Sequence, residues 1–176
     1  MKEDTSIDIA SFLRAVPDFP KPGIIFRDIS PLLAAPKIFR YVVDEMARRI
    51  SSHSVDAIVG IESRGFIFAA PLAIELGVPL VMVRKPGKLP GVVESVQYGL
   101  EYGTDALQLQ RGALSQANSV IVVDDVLASG GTAQAVSTLV EQVGAHVRGY
   151  IFLAELEALG GRSRLAGASV EALVRM

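Results

Sequence analysis

The sequence contains no cysteine, which removes disulfide cross-links and thiolate metal sites together and fits a reducing, cytoplasmic setting. Long apolar runs are missing as well. No stretch approaches the roughly 20 residues needed to cross a bilayer, so no membrane is expected as a partner. The opening MKEDTSIDIASF lacks the uninterrupted apolar segment of a cleavable leader. Charge of one sign is scarce: 17 Lys+Arg stand against 19 Asp+Glu, a formal net charge of -2, with no long basic run. Nucleic acid is therefore not an expected partner. Two phosphate-loop signatures are absent, the glycine-rich turn ending in Gly-Lys-Ser/Thr and the GxGxxG between strand and helix. No internal repeat or low-complexity tract occurs.

What remains is an ordinary globular composition, 50% hydrophobic and 20% charged over 176 residues, long enough to bury one core and requiring only one domain, 1–176. Apolar spacing predicts a short amphipathic helix over Ser6 to Val16, then an irregular surface segment through VPDFPKPG and a solvated edge around Arg27 and Asp28. A second helix starts at Pro36, with Ile38, Val42, Val43, Met46 and Ile50 as its apolar stripe, and ends near His53. Asp56 to Gly60 reads as a buried strand, Phe66 to Leu76 as a helix stopped by Gly77, and Val78 to Val83 as a strand suited to the middle of a parallel sheet. Val92 to Arg111 alternates like exposed antiparallel strands, with a candidate mobile flap at Tyr98 to Gly103. His146 to Leu153 is a further strand, Gly160 and Gly161 lie in a surface connection, and Val170 to Val174 is an edge strand. Together these predict an α/β fold: an open, mainly parallel twisted sheet flanked by helices, with a hairpin or flap insertion.

The stretch VIVVDDVLASGGTAQAVSTLVEQVG organises the chain as strand, turn and helix, the helix beginning near Thr132. Asp124 and Asp125 end the strand. Adjacent strand residues point to opposite faces, so the chain must turn there if both are to face one ligand. Ala128, Ser129, Gly130 and Gly131 let backbone approach an anion closely, and Thr132 with the first helical amides adds donors. A phosphate on those amides, with acids on sugar hydroxyls or a hydrated metal, is the chemistry such a turn supports. A second constellation follows two other strands: Glu62, Ser63 and Arg64 in IESRG, and Arg84, Lys85 and Lys88 in RKPGKLPG. Ligands of open α/β sheets bind beyond the carboxyl ends of the strands, where the three turns can converge on a molecule with anionic and hydroxylated parts.

These residues resemble the phosphoribosyltransferases of the type I fold, in which VIVVDDVLASGGT matches the motif for 5-phosphoribosyl-1-pyrophosphate. PDFPKPGIIFRDISPLL, GIESRGFIFAAPLA, RKPGKLPG, LEYGTDALQLQ and FLAELEALGGRSRL are similar, in that order, to the adenine phosphoribosyltransferase family, and together they span nearly the whole chain.

The resemblance implies transfer of a phosphoribosyl group to adenine, giving AMP and pyrophosphate in purine salvage, in a homodimer. It implies a base-binding segment at about 17–33 and a flap at about 92–105. Asp124 and Asp125 would hold the ribose hydroxyls, and Ala128, Ser129, Gly130, Gly131 and Thr132 the 5-phosphate. Ser63 and Arg64 would bind pyrophosphate, with a cis peptide between Glu62 and Ser63. Arg84, Lys85 and Lys88 would neutralise the leaving group, Arg84 reaching the neighbouring subunit's site. Adenine would lie near Phe26, which can stack on it, and Arg27, with Asp28 bracing the loop. Glu101 is the implied acid/base residue and Tyr102 its companion in the flap; Arg64 and Lys85 complete the implied catalytic set. Mg²⁺ is the implied cofactor, held mainly through the donor diphosphate and ribose hydroxyls with Asp124 and Asp125 nearby. Two departures stand out: Ser129 sits where threonine is frequent, and Pro86 lies inside the basic loop.

Overall fold

A computed structural model describes residues 7–51, 54–100 and 103–176. Its centre is a five-stranded parallel sheet in the order β4-β3-β7-β8-β9: β3 (Ala57–Ile61), β4 (Leu80–Val83), β7 (Ser119–Leu127), β8 (His146–Glu155) and β9 (Ser169–Arg175). Two antiparallel pairs stand outside it. One is β1 (Arg14–Pro17) with β2 (Ile25–Asp28); the other is the hairpin β5 (Val93–Leu100) with β6 (Gly103–Gln110). The helices are α1 (Ser30–Leu33), α2 (Pro36–Ile50), α3 (Gly65–Leu76) and α4 (Gly131–Gln142). The predicted open parallel α/β sheet with a hairpin insertion is the architecture found.

Strand alternation divides the interior into two cores. On β3 and β7, Val59, Ile61, Val120 and Val122 face the side covered by α4 and the hairpin, where they meet Val136, Leu139, Leu107 and Leu109. The intervening Ile58, Ile121 and Val123 face α2 and α3 and meet Val42, Met46, Phe68 and Leu72. Period-two alternation in a strand covered on both faces produces this division. Each large side chain fully withdrawn here contributes about 1.5–3 kcal/mol of transfer free energy, so the strands are held along their lengths and their carboxyl ends are left free to carry polar groups.

The helices follow their sequence signals. Pro36 opens α2 and four of its five stripe residues, Val42, Val43, Met46 and Ile50, are buried. Gly77 closes α3, its N–H returning to Ala73 and Ile74 carbonyls.

Four expectations are corrected. The predicted helix over Ser6 to Val16 is a single turn of 3-10 helix, Ile9–Phe12, followed by β1; Ser6 lies outside the described residues. Ile9 and Leu13 still enter the core, but the chain gains backbone partners by pairing with β2 instead of by helical turns. β4 is an edge strand, not a central one, and Leu80 and Met82 stay 38% and 43% exposed. The two aspartates do not form a turn, since β7 continues to Leu127. Gly161 is buried, not on the surface, because it packs beneath the loop after β7. The expected end of α2 at His53 falls outside the described residues.

Candidate active site

The carboxyl ends of β3, β4 and β7 open into one cleft of about 310 Å³, lined by Glu62, Ser63, Arg64, Lys85, Asp124, Asp125 and Thr132 from the sheet side. Tyr98, Asp105 and Leu107 of the hairpin close its far wall. Beside it, Ala128, Ser129, Gly130, Gly131 and Thr132 enclose a recess of about 70 Å³ that also touches Asp124. Three separate turns of the sequence therefore converge, as a parallel sheet requires of loops that leave the same ends of neighbouring strands.

Both aspartates reach the cleft although they are strand neighbours. Asp124 lies within the strand end with its Oδ1 accepting the Asp125 N–H at 2.9 Å. Burial, and then the charge of Asp125, push the Asp124 carboxyl well above the usual aspartate range. Burial also raises Asp125, against the pull of the Arg64 guanidinium, whose Nε lies 2.8 Å from Asp125 Oδ2. An acid pair that resists ionisation in its pocket is a site built for a cation or for donor hydroxyls.

Close backbone approach makes this geometry possible. A methyl group on Gly65, the first residue of α3, would lie 2.8 Å from the Val123 carbonyl oxygen and 2.9 Å from Asp124 Oδ1. Only glycine lets α3 start that close to β7, and so lets Arg64 reach Asp125.

Arg64 is held on three sides. Besides Asp125, its Nη1 donates to the Arg27 carbonyl at 3.0 Å, and its guanidinium carbon sits 4.6 Å from the centre of the Phe26 ring. The Phe19 ring meets Phe26 edge-on at 5.1 Å. Phe26 and Arg27 of β2 are thereby joined to the cleft. Asp28 turns away from it and accepts from Ser30 N and Oγ and from Arg14, contacts that hold its carboxyl at about 2.

The basic loop is arranged differently from a row of free cations. Arg84 and Lys88 both turn onto Glu62, at 3.2 and 2.7 Å from its Oε1, while its Oε2 accepts the Lys85 N–H at 2.9 Å. Lys85 alone of the three lines the cleft, with its Nζ 2.9 Å from Asp105 Oδ2. The Asp105 contact raises the Lys85 ammonium's pKa. The peptide between Glu62 and Ser63 is cis.

Burial works to raise Glu62, but hydrogen bonds from Lys88, the Lys85 amide and Arg84 outweigh it and bring the carboxyl down to about 2 from an ordinary 4.5. A depressed folded value means stability that is complete above the ordinary value and disappears as pH falls toward the folded one. Glu62→Gln is expected to lower Tm at pH 7 by about 3–6 °C, the effect of about 1.5 kcal/mol, a low figure because Lys88 and Arg84 are partly solvated. The deficit should narrow between about pH 4.5 and pH 2 in thermal melts. A deficit that stays constant across that range would contradict the ion-pair account.

Some site residues were not singled out by the sequence. Tyr98 and Asp105 are cross-strand partners in the hairpin, and only that register brings both to the cleft, where the Tyr98 phenol meets Thr132 and Asp105. Gly161 supports the recess from behind: a methyl group there would lie 2.1 Å from the Ala128 carbonyl oxygen and 2.9 Å from Gly130 N. Gly130, with φ of 81°, has the reciprocal fit, a methyl on it falling 2.6 Å from the Gly161 oxygen. Glu101 and Tyr102 lie outside the described residues.

The site can be tested for the implied Mg²⁺ on its donor set. Two adjacent carboxylates, Asp125 buried and both pushed above the usual aspartate range, offer hard oxygen donors. They would supply part of a shell that Mg²⁺ usually completes with water and substrate phosphate. The residues fit.

Comparison with known proteins agrees with this geometry. Residues 29–161 match the family model described as a phosphoribosyl transferase domain. An adenine phosphoribosyltransferase of Synechococcus sp. is 54% identical over 170 residues, covering 96% of this chain and 99% of that protein. The crystal structure of adenine phosphoribosyltransferase from Thermoanaerobacter pseudethanolicus superposes with a TM-score of 0.92 at 46% identity, covering 96% of this chain and 98% of that one. That of the Saccharomyces cerevisiae enzyme, complexed with D-DIAB and adenine, gives 0.84 at 40% identity, covering 92% and 94%. With a cleft of paired acids and fixed cations at the strand ends, and relatives matched over nearly its full length, the chain belongs to the phosphoribosyl transferase family, in its adenine phosphoribosyltransferase branch.

Proposed function

We propose that the protein transfers the 5-phosphoribosyl group of 5-phosphoribosyl-1-pyrophosphate to adenine, releasing AMP and pyrophosphate, as a cytoplasmic homodimer in purine salvage. The observation that carries this reading is the juxtaposition of two spaces: a small recess walled largely by the 128–132 loop, and a cleft in which Asp124 and Asp125 lie beside Arg64 and Lys85. A phosphoribosyl diphosphate is the molecule whose parts match that order.

In this reading the 5-phosphate enters the recess at Ala128–Thr132, and the ribose hydroxyls donate to Asp124 and Asp125. The diphosphate lies against Ser63, Arg64 and Lys85, which it takes from Asp105. As the bond from the anomeric carbon to the diphosphate oxygen breaks, negative charge grows on the leaving group and positive charge on the sugar. Arg64, already immobilised by Asp125 and Phe26, opposes the first change without reorganising, which is what makes a fixed charge effective. Mg²⁺, bound with the donor, would supply further neutralisation of the diphosphate. Adenine rests against Phe26 and the main chain of Arg27. Its ring nitrogen forms the new bond to the anomeric carbon, and Glu101 takes the proton released. Arg84 and Lys88 are drawn from Glu62 toward the diphosphate or, for Arg84, toward the partner's site. The hairpin with Tyr102 excludes water that would hydrolyse the activated donor.

The test is product analysis. The protein is mixed with the phosphoribosyl donor, Mg²⁺ and each of adenine, guanine, xanthine and uracil in turn. AMP with stoichiometric pyrophosphate is expected, at least about a hundredfold faster than any other nucleotide, the scale on which a site of fixed polar contacts separates bases. Preferential formation of another nucleotide, or none, overturns the reading.

A further inference from the structure

We propose that Arg164 is a phosphate-binding residue of the site, supplying the positive charge for the 5-phosphate that the loop itself does not carry. This rests on the reading of Ala128–Thr132 as the phosphate recess.

The need for such a charge follows from the lining. Among the described residues the recess has no lysine or arginine in its wall, and it does have a carboxylate, Asp124. A phosphate monoester brings about 1.5 to 2 negative charges at neutral pH. The amino end of α4 offers roughly half a positive charge in return. Backbone amides alone leave the anion well short of neutral beside an acid.

Arg164 is placed to make up the difference. It belongs to the 3-10 turn Gly161–Leu165, which Gly161, Arg162 and Leu165 fix to the body of the protein. Gly161 packs so closely on Ala128 and Gly130 that no side chain fits between them. Arg162 is clamped by Glu155, with Nε 3.0 Å from Oε1 and Nη2 2.5 Å from Oε2, and Leu165 is buried in the core. Arg164 differs from Arg162: it is exposed, and among the described residues it has no hydrogen-bond or ion-pair partner. Its Nη1 lies 3.9 Å from where a methyl group on Gly131 would sit. That places a free guanidinium at the first residue of α4, on a turn rigidly attached to the loop. The Gly99 carbonyl oxygen and the Tyr98 ring approach the same point at 3.7 and 3.9 Å, so the hairpin borders this side of the loop as well.

The experiment compares binding of two probes, ribose 5-phosphate and inorganic pyrophosphate, to the full-length protein by calorimetry. Arg164→Gln is expected to weaken ribose 5-phosphate about tenfold, the low end for a charge-assisted contact at an exposed site, while leaving pyrophosphate and the melting temperature unchanged. Arg164→Lys should recover part of the loss, and raising salt should shrink the difference. Thr132→Ala separates the two layers of the argument. Loss of ribose 5-phosphate affinity in Thr132→Ala but not in Arg164→Gln overturns the role of Arg164 alone. Unchanged affinity in both overturns the assignment of the recess and the proposal with it. Equal weakening of both probes by Arg164→Gln also overturns it, since that is the signature of a general field and not of a phosphate contact.

Discussion

Alanine at position 161 should cost the enzyme about a hundredfold in activity at subsaturating phosphoribosyl donor, although Gly161 touches no reacting atom; displacements of about 1 Å at a positioned substrate have effects of that size. The added methyl would stand 2.1 Å from the Ala128 carbonyl oxygen, and its neighbours there are backbone, not the ends of flexible side chains. Something must move. On one side the turn is tied by Arg162 to the buried Glu155 and by Leu165 to the core, so displacement of the 128–131 loop is the easier path. That loop is the recess wall. The expected pattern is a steep rise in the Michaelis constant for the donor with a smaller change for adenine. Overpacking should also lower stability by about 1–3 kcal/mol, which a melt would register separately from the kinetic effect. Donor kinetics within twofold of the parent protein would mean that the loop and the turn are not mechanically linked.

The second large effect has opposite signs for stability and activity. Asp124→Asn keeps an oxygen able to accept the Asp125 N–H but removes a charge that its surroundings oppose. Because the folded carboxyl titrates above its ordinary 3.8, stability is lost as pH rises from that value toward the folded one. Asparagine does not titrate and escapes the loss. At neutral pH the variant should therefore melt higher, by about 2–4 °C for each kcal/mol relieved, and the gain should fade as pH drops through 3.8, below which Asp124 is protonated in either state. Activity should fall about a hundredfold, the usual consequence of losing one well-aimed polar contact in an active site. Such a trade is expected wherever a site stores unfavourable charge for its ligand to relieve. A variant that is both less stable and fully active would remove the basis for assigning Asp124 a ligand-binding role.

The first effect begins in a backbone approach too close for a side chain, and the letters do not disclose it. The two glycines at 160 and 161 look alike in sequence, yet nothing surrounds a methyl group built on the first while the second has no room for one. Likewise Arg84, Lys85 and Lys88 read as one basic loop, but Glu62 binds two of them and Asp105 the third, which leaves only Lys85 lining the cleft.

The order of strands and helices from α2 onward, the apolar stripe of α2, the stop at Gly77 and the strand-loop-helix at 119–142 were determined by the sequence itself. Periodicity and turn chemistry act between residues close together in the chain, and they leave their mark in consecutive letters. Tertiary structure decided the rest. It put β4 at the edge of the sheet and made β1 of a stretch with helical spacing. It kept both aspartates inside β7, and it set Gly161 and Arg164 against a loop some thirty residues earlier. Those outcomes depend on which distant backbone lies alongside, and a local pattern of apolar and polar residues carries no information about that neighbour.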